Sequence, residues 1–163
     1  MAADAPLLIA YDGSDAARLA VRETAKLFGS RQVLVVTVWE PSLAYEAETP
    51  MADIPTADLG VSPLPVDIEG ARELEKELHQ RAVRTAQAGA ELAQSAGLNA
   101  NALAVADEVH VADAIIGVAR KREVAAIVVG SRGLKGLRAR LEGSTSKAVL
   151  KDAPCPVVVV HDD

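Results

Sequence analysis

An α/β fold built on an open parallel sheet is predicted by three features of this 163-residue chain. Short apolar runs alternate with longer helical stretches over most of its length, the order that gives strand–helix–strand units. The first of these runs is continuously apolar, as strands covered by helices on both faces tend to be. Two runs lead into polar, glycine-bearing turns, Asp12-Gly13-Ser14 and Gly130-Ser131-Arg132-Gly133. Open parallel sheets bind ligands beyond such carboxyl ends, at a topological switch point.

Taken in order, Pro6 to Tyr11 is the first strand. Ser14 or Asp12 caps the helix that follows, Asp15 to about Phe28, which Gly29 ends. On it Leu19, Ala20, Glu23, Thr24 and Leu27 fall at mixed helical spacing. Val33 to Val38 is the second strand, apolar and rich in β-branched residues. Gly70 to Ala96 reads as one long helix with Leu74, Leu78, Ala82, Thr85, Ala86, Gly89, Leu92 and Ala93 near one face, and Gly97 stands at its C′ position. Asn101 to Ala106 is the third strand. Val111 to Arg122 is a helix with Val111, Ala114, Ile115, Val118 and Ala119 inward, and Val124 to Val129 is the fourth strand. Thr145 to Lys151 forms a short helix and Pro156 to Val160 the fifth strand, with Pro154 and Pro156 barring helix across that junction. Crossovers are expected to be right-handed.

The length fits one domain with a substantial core. Half the residues are apolar, yet the only aromatics are Tyr11, Phe28, Trp39 and Tyr45, so Ala, Val, Leu and Ile build that core. The apolar runs are too short to span a bilayer, and the N-terminal stretch lacks the basic and apolar regions of a signal peptide. With Cys155 the single cysteine, no internal disulfide is available, and a cytoplasmic setting is expected. A net charge of −6 with so few aromatics argues against nucleic-acid binding.

Glu40 to about Glu69 departs from the pattern. It contains Pro41, Pro50, Pro55, Pro63 and Pro65, and from Glu40 to Glu77 ten acids face only Arg72 and Lys76. It reads as a solvated insertion in the domain, with a flap or partner-binding segment as the alternative.

The opposite charge gathers in Gly130 to Ser146, GSRGLKGLRARLEGSTS, where Arg132, Lys135, Arg138 and Arg140 face only Glu142. Backbone can approach a ligand closely at Gly130, Gly133 and Gly143. Ser144, Thr145 and Ser146 then stand where a helix begins, and free N–H groups with hydroxyls there suit a phosphate. A side chain at Gly130 or Gly143 is expected to occupy phosphate space. Neither a P-loop nor GxGxxG is present.

This spacing, G-x2-G-x9-G-[S/T], resembles the nucleotide-binding signature of the ATP-binding universal stress proteins. Asp12-Gly13-Ser14 and Ala153-Pro154-Cys155-Pro156-Val157 are typical of the same family. The resemblance implies a five-stranded parallel sheet of order 3-2-1-4-5 with helices on both faces, which makes the first and fourth strands neighbours. It implies ATP, with or without Mg2+, as ligand. Adenine contacts fall on Asp12, on the backbone before it (Ala10 and Tyr11) and on Val38. The end of the fourth strand, Val129, leads to Gly130, Arg132 and Gly133 at the ribose and phosphates, with Gly143, Ser144, Thr145 and Ser146 at the phosphates. It further implies a homodimer through the fifth strand, Pro156 to Val160, an apolar edge open to pairing. The chain departs from the family at Asp107-Glu108-Val109-His110, which lacks the usual glycine and proline.

Other chemistry is poorly represented. His79, His110 and His161 lack metal-ligand spacing. His110 reads as a surface or capping residue and Cys155 as a buried small hydrophobe. No nucleophile–base pair has a recognisable signature. A nucleotide-dependent stress or signalling protein is therefore the leading expectation. A slow ATP hydrolase or nucleotide transferase, and a nucleotide-free interaction module, are the alternatives.

Overall fold

The structure, a computed structural model, describes residues 5–41, 68–107, 110–130 and 145–161. Strands and helices alternate as β1 (Leu7–Ala10), α1 (Asp15–Phe28), β2 (Gln32–Trp39), α2 (Ile68–Ser95), β3 (Asn99–Ala106), α3 (Val111–Lys121), β4 (Ala126–Gly130), α4 (Thr145–Asp152) and β5 (Val157–Val160). The five strands form one parallel sheet of order β3-β2-β1-β4-β5, as expected. The chain starts at the centre, winds outward through β2 and β3, then returns to the other side of β1.

Successive strand residues point to opposite faces, and both faces are buried. Leu7 and Ile9, with Val33, Val35 and Val128, pack under α1 and α2 through Ala17, Ala20, Val21, Ala90 and Ala93. Leu8, Val36, Ile127 and Val129 pack on the other side against Ile115 and Ala119 of α3. Alanine dominates the helix contacts, which lets helices sit close to a valine-rich sheet with few aromatics.

Several boundaries differ from expectation for local reasons. β3 begins two residues before Asn101, because Asn99 and Ala100 pair with Gln32 and Val33. β4 begins after Val124, because that residue closes α3: its N–H reaches the Ala119 carbonyl at 3.1 Å, with Glu123 left-handed at φ 48°. Gly97, at φ 93°, closes α2 in the same way, the Leu98 N–H reaching the Ala93 carbonyl at 3.0 Å. On α1 the inward side is Ala16, Ala17, Ala20, Val21 and Thr24, while Leu27 is 65% exposed. On α2, Leu74 is also exposed, at 49%. In both cases the smaller side chains take the sheet contact and the leucine faces outward.

Candidate functional site

The crevice lies at the carboxyl ends of β1 and β4, where the strand order reverses. β1 pairs with β2 on one side and with β4 on the other, Ile9 opposite both Val35 and Val128. Carrying that register forward sets Ala10 beside Val129 and Tyr11 beside Gly130. Ala10, Val38 and Val129 all pack with the cluster on the α3 side, together with Val105 and Val111. These three predicted contacts therefore share one face and line an apolar floor.

Tyr11 turns the other way. Its ring is buried, 5% exposed, in the cluster under α1 and α2. A Cβ at Gly89 of α2 would stand 2.7 Å from that ring and 2.8 Å from Val35. Gly89 is thus the point at which α2 closes on the sheet, and Tyr11 has only its backbone to offer the crevice. That backbone is held tightly. Its N–H donates to the Val36 carbonyl at 2.8 Å, and its carbonyl accepts from the buried Thr37 Oγ1 at 2.7 Å.

The next three residues form a turn fixed by their own side chains. Asp12 Oδ1 accepts the Ser14 N–H at 2.9 Å, and Ser14 Oγ accepts the Ala17 N–H at 3.2 Å as the N-cap of α1. Gly13 takes φ 80°, which favours glycine. Asp12 is exposed and keeps a carboxylate oxygen beyond the one used by the turn. Of the two capping roles proposed from sequence, Ser14 takes the helix and Asp12 the turn.

The β4 wall ends at Gly130, where packing adds a reason for glycine beside the one expected from sequence. A Cβ on Gly130 would meet the backbone of Ala16, with the Ala16 carbonyl carbon at 2.6 Å. The space that glycine leaves is filled by the first turn of α1, so the immediate obstacle to a side chain is Ala16. Of the remaining predicted residues, Thr145 and Ser146 are the first two of α4. Arg132, Gly133, Gly143 and Ser144 lie outside the described residues, as do Lys135, Arg138 and Arg140, and Glu108 and Val109 of the departing turn. His110 occupies the N-cap position of α3 without a side-chain cap bond.

Two further cavities flank the sheet. One, about 450 Å3, runs between β3 and α3, past Leu103, Val105, Gly117 and Lys121. The other, about 520 Å3, lies beside β5, between Leu19 and Leu27 of α1 and Val158 and Val160. Cys155 is half-buried and packs on the α3 side. Burial raises its thiol pKa, against a smaller lowering by a backbone hydrogen bond at Ile127. Among the described residues no three His, Cys, Asp or Glu side chains cluster as a metal cage would require, and no helix is long and apolar enough to cross a membrane.

Thr37 and Ala16 were not singled out from sequence, and Gly89 only as one residue on a face of the long helix. Thr37 left a signal, as the one hydroxyl in the run Val33 to Trp39. Gly89 left a weaker one, as a glycine inside a helix. Nothing about Ala16 marks it.

The fold and the crevice define an open-sheet α/β protein whose strand order reverses at β1 and β4. The profile of the Universal stress protein family matches residues 5–161, and the chain belongs to that family. It is 31% identical over 159 residues to a universal stress protein of Thermus aquaticus (in the QAH/OAS sulfhydrylase 3' region), covering 95% of this chain and 97% of that one. Solved structures share the fold. The hypothetical protein MJ0577 superposes with a TM-score of 0.68 at 19% identity, covering 98% of this chain and 97% of that one. An Arabidopsis thaliana family member with AMP bound gives 0.59 at 17% identity, covering 98% and 92%. The Archaeoglobus fulgidus universal stress protein in complex with dAMP gives 0.57 at 21% identity, covering 95% and 96%.

Proposed function

We propose that this protein binds an adenine nucleotide, ATP in its working state, in the crevice between β1 and β4. The adjacency of those strands carries the reading, because it sets the Asp12 turn against the start of the glycine loop at Gly130. The AMP and dAMP held by the Arabidopsis and Archaeoglobus relatives support it. In this reading the base lies over the apolar floor of Ala10, Val38 and Val129. Asp12 and the adjacent backbone read its polar edge. Gly130, Arg132, Gly133 and the segment Gly143 to Ser146 hold the ribose and phosphates with N–H groups, hydroxyls and positive charge. Mg2+ is carried by the polyphosphate itself, which suits an ion that keeps much of its water. Ligand state then governs a stress-response or signalling role in the cytoplasm. Isothermal calorimetry with ATP and AMP should give saturable one-to-one binding. Heat absent at millimolar nucleotide would refute the proposal.

We further propose a homodimer joined through β5. This strand is an edge of the sheet, and beside it the half-exposed Val158 and the exposed Leu27 line the second cavity. An apolar edge with open backbone groups favours pairing, and a two-fold axis lets it meet its own copy. Sedimentation velocity at micromolar concentration should report a dimer; a monomer would refute this assembly.

A further inference from the structure

We infer that Thr37 is a positioning residue for nucleotide recognition, acting through the peptide between Tyr11 and Asp12. The inference rests on the binding proposal above and deepens it at the β1 wall.

Thr37 sits near the end of β2, in the apolar sequence Val33-Leu34-Val35-Val36-Thr37-Val38. It is 7% exposed, one of two polar or charged residues buried among those described. The other, Thr24, returns its hydroxyl to the Ala20 carbonyl of its own helix at 2.7 Å. Thr37 instead bonds across strands, donating to the Tyr11 carbonyl at 2.7 Å over 26 residues of sequence. A valine would fill the same space in this core. The hydroxyl therefore serves the contact it makes.

That contact has a direction. In a trans peptide the carbonyl and the following N–H point opposite ways, and none of the described peptides is cis. Holding the Tyr11 carbonyl toward β2 turns the Asp12 N–H toward the β4 side, into the crevice. The Tyr11 N–H, bonded to the Val36 carbonyl at 2.8 Å, fixes the other end of the residue. Asp12 then begins its turn from a fixed peptide plane, with its side chain already bonded to the Ser14 N–H. Thr37 thus presets both a backbone donor and the carboxylate of Asp12 without touching the ligand, and a donor preset in this way spares the ordering cost on binding.

Thr37→Val keeps the shape and removes the hydroxyl; Thr37→Ser keeps the hydroxyl and removes a methyl. Two readouts on the purified full chain decide the matter. Amide exchange by NMR, without nucleotide, should speed up at the bonded amides of Tyr11 and Ser14 in the valine variant, leave β3 and β4 unchanged, and return toward wild type in the serine variant. AMP affinity should fall about three- to tenfold in the valine variant, the size of one hydrogen bond, and recover with serine. Unchanged exchange at the turn, or unchanged affinity in a folded valine variant, would overturn the inference. A wild type that binds no AMP would sink the binding proposal instead, while the exchange data still decide whether Thr37 holds the turn.

Discussion

At the end of β1 the chain turns through Asp12, Gly13 and Ser14, held by an Asp12 carboxylate bond of 2.9 Å and a Ser14 cap bond of 3.2 Å. At the end of β4 the chain reaches Gly130, held by close approach to the Ala16 backbone where a side chain would be. One wall of the crevice is made by polar side chains and the other by the lack of one. Functional groups can be changed on the β1 wall while the fold survives, because most of what they do is local and partly exposed. On the β4 wall the residue that most resembles a ligand contact also locks the sheet to α1. A glycine in a binding motif therefore has two possible reasons to be glycine, and here the packing reason comes first.

The most disruptive way to probe this contrast is Gly130→Val. It should destabilise the fold by about 3 kcal/mol or more, since the obstacle is main chain that cannot rotate aside. Urea denaturation with a lowered midpoint and unchanged slope would show it. A variant of wild-type stability would mean that β4 is free of Ala16, and the two walls would no longer differ.

Ser14→Ala tests the β1 wall at a smaller scale. Loss of the cap should cost about 1 kcal/mol, and Ser14→Asp should restore most of it. Asp12→Asn sharpens the comparison further. The amide oxygen can still accept the Ser14 N–H, so stability should stay within about 0.5 kcal/mol of wild type. AMP affinity should nevertheless fall about tenfold if the charged oxygen reads the base. Stability and affinity that move together at Asp12 would show that the turn is its only role.

The course of the chain was legible because its signals are local. Continuous apolar runs marked buried strands, and Gly29 and Gly97 marked helix ends through a backbone conformation that other residues resist. The end of α3 carried no such mark, because Glu123 adopts the left-handed conformation there, and the expected start of β4 was early for that reason. The outward turn of Leu27 and Leu74 was hidden as well. Helical spacing shows that residues share a face; which side of a mixed face meets the sheet depends on how closely a helix must approach, and here alanines permit the closer contact. In the site, Asp12 and Ser14 were readable as turn and cap residues, since their hydrogen bonds span two or three positions. Thr37 and Ala16 act across 26 and 114 residues of sequence respectively, so nothing in their immediate neighbours identifies their partners. Gly130 was readable as a glycine that matters, but its packing partner is an alanine far away.

The proposed seat of an adenine nucleotide lies between these two walls. Its most direct test is an amide NMR titration of the wild-type protein with AMP. Saturable shifts are expected at Asp12, Gly13, Ser14, Val38 and Gly130, with Leu103, Gly117 and Lys121 of the β3–α3 groove unmoved. Shifts that concentrate in that groove and leave the Asp12 turn and Gly130 unchanged would contradict it.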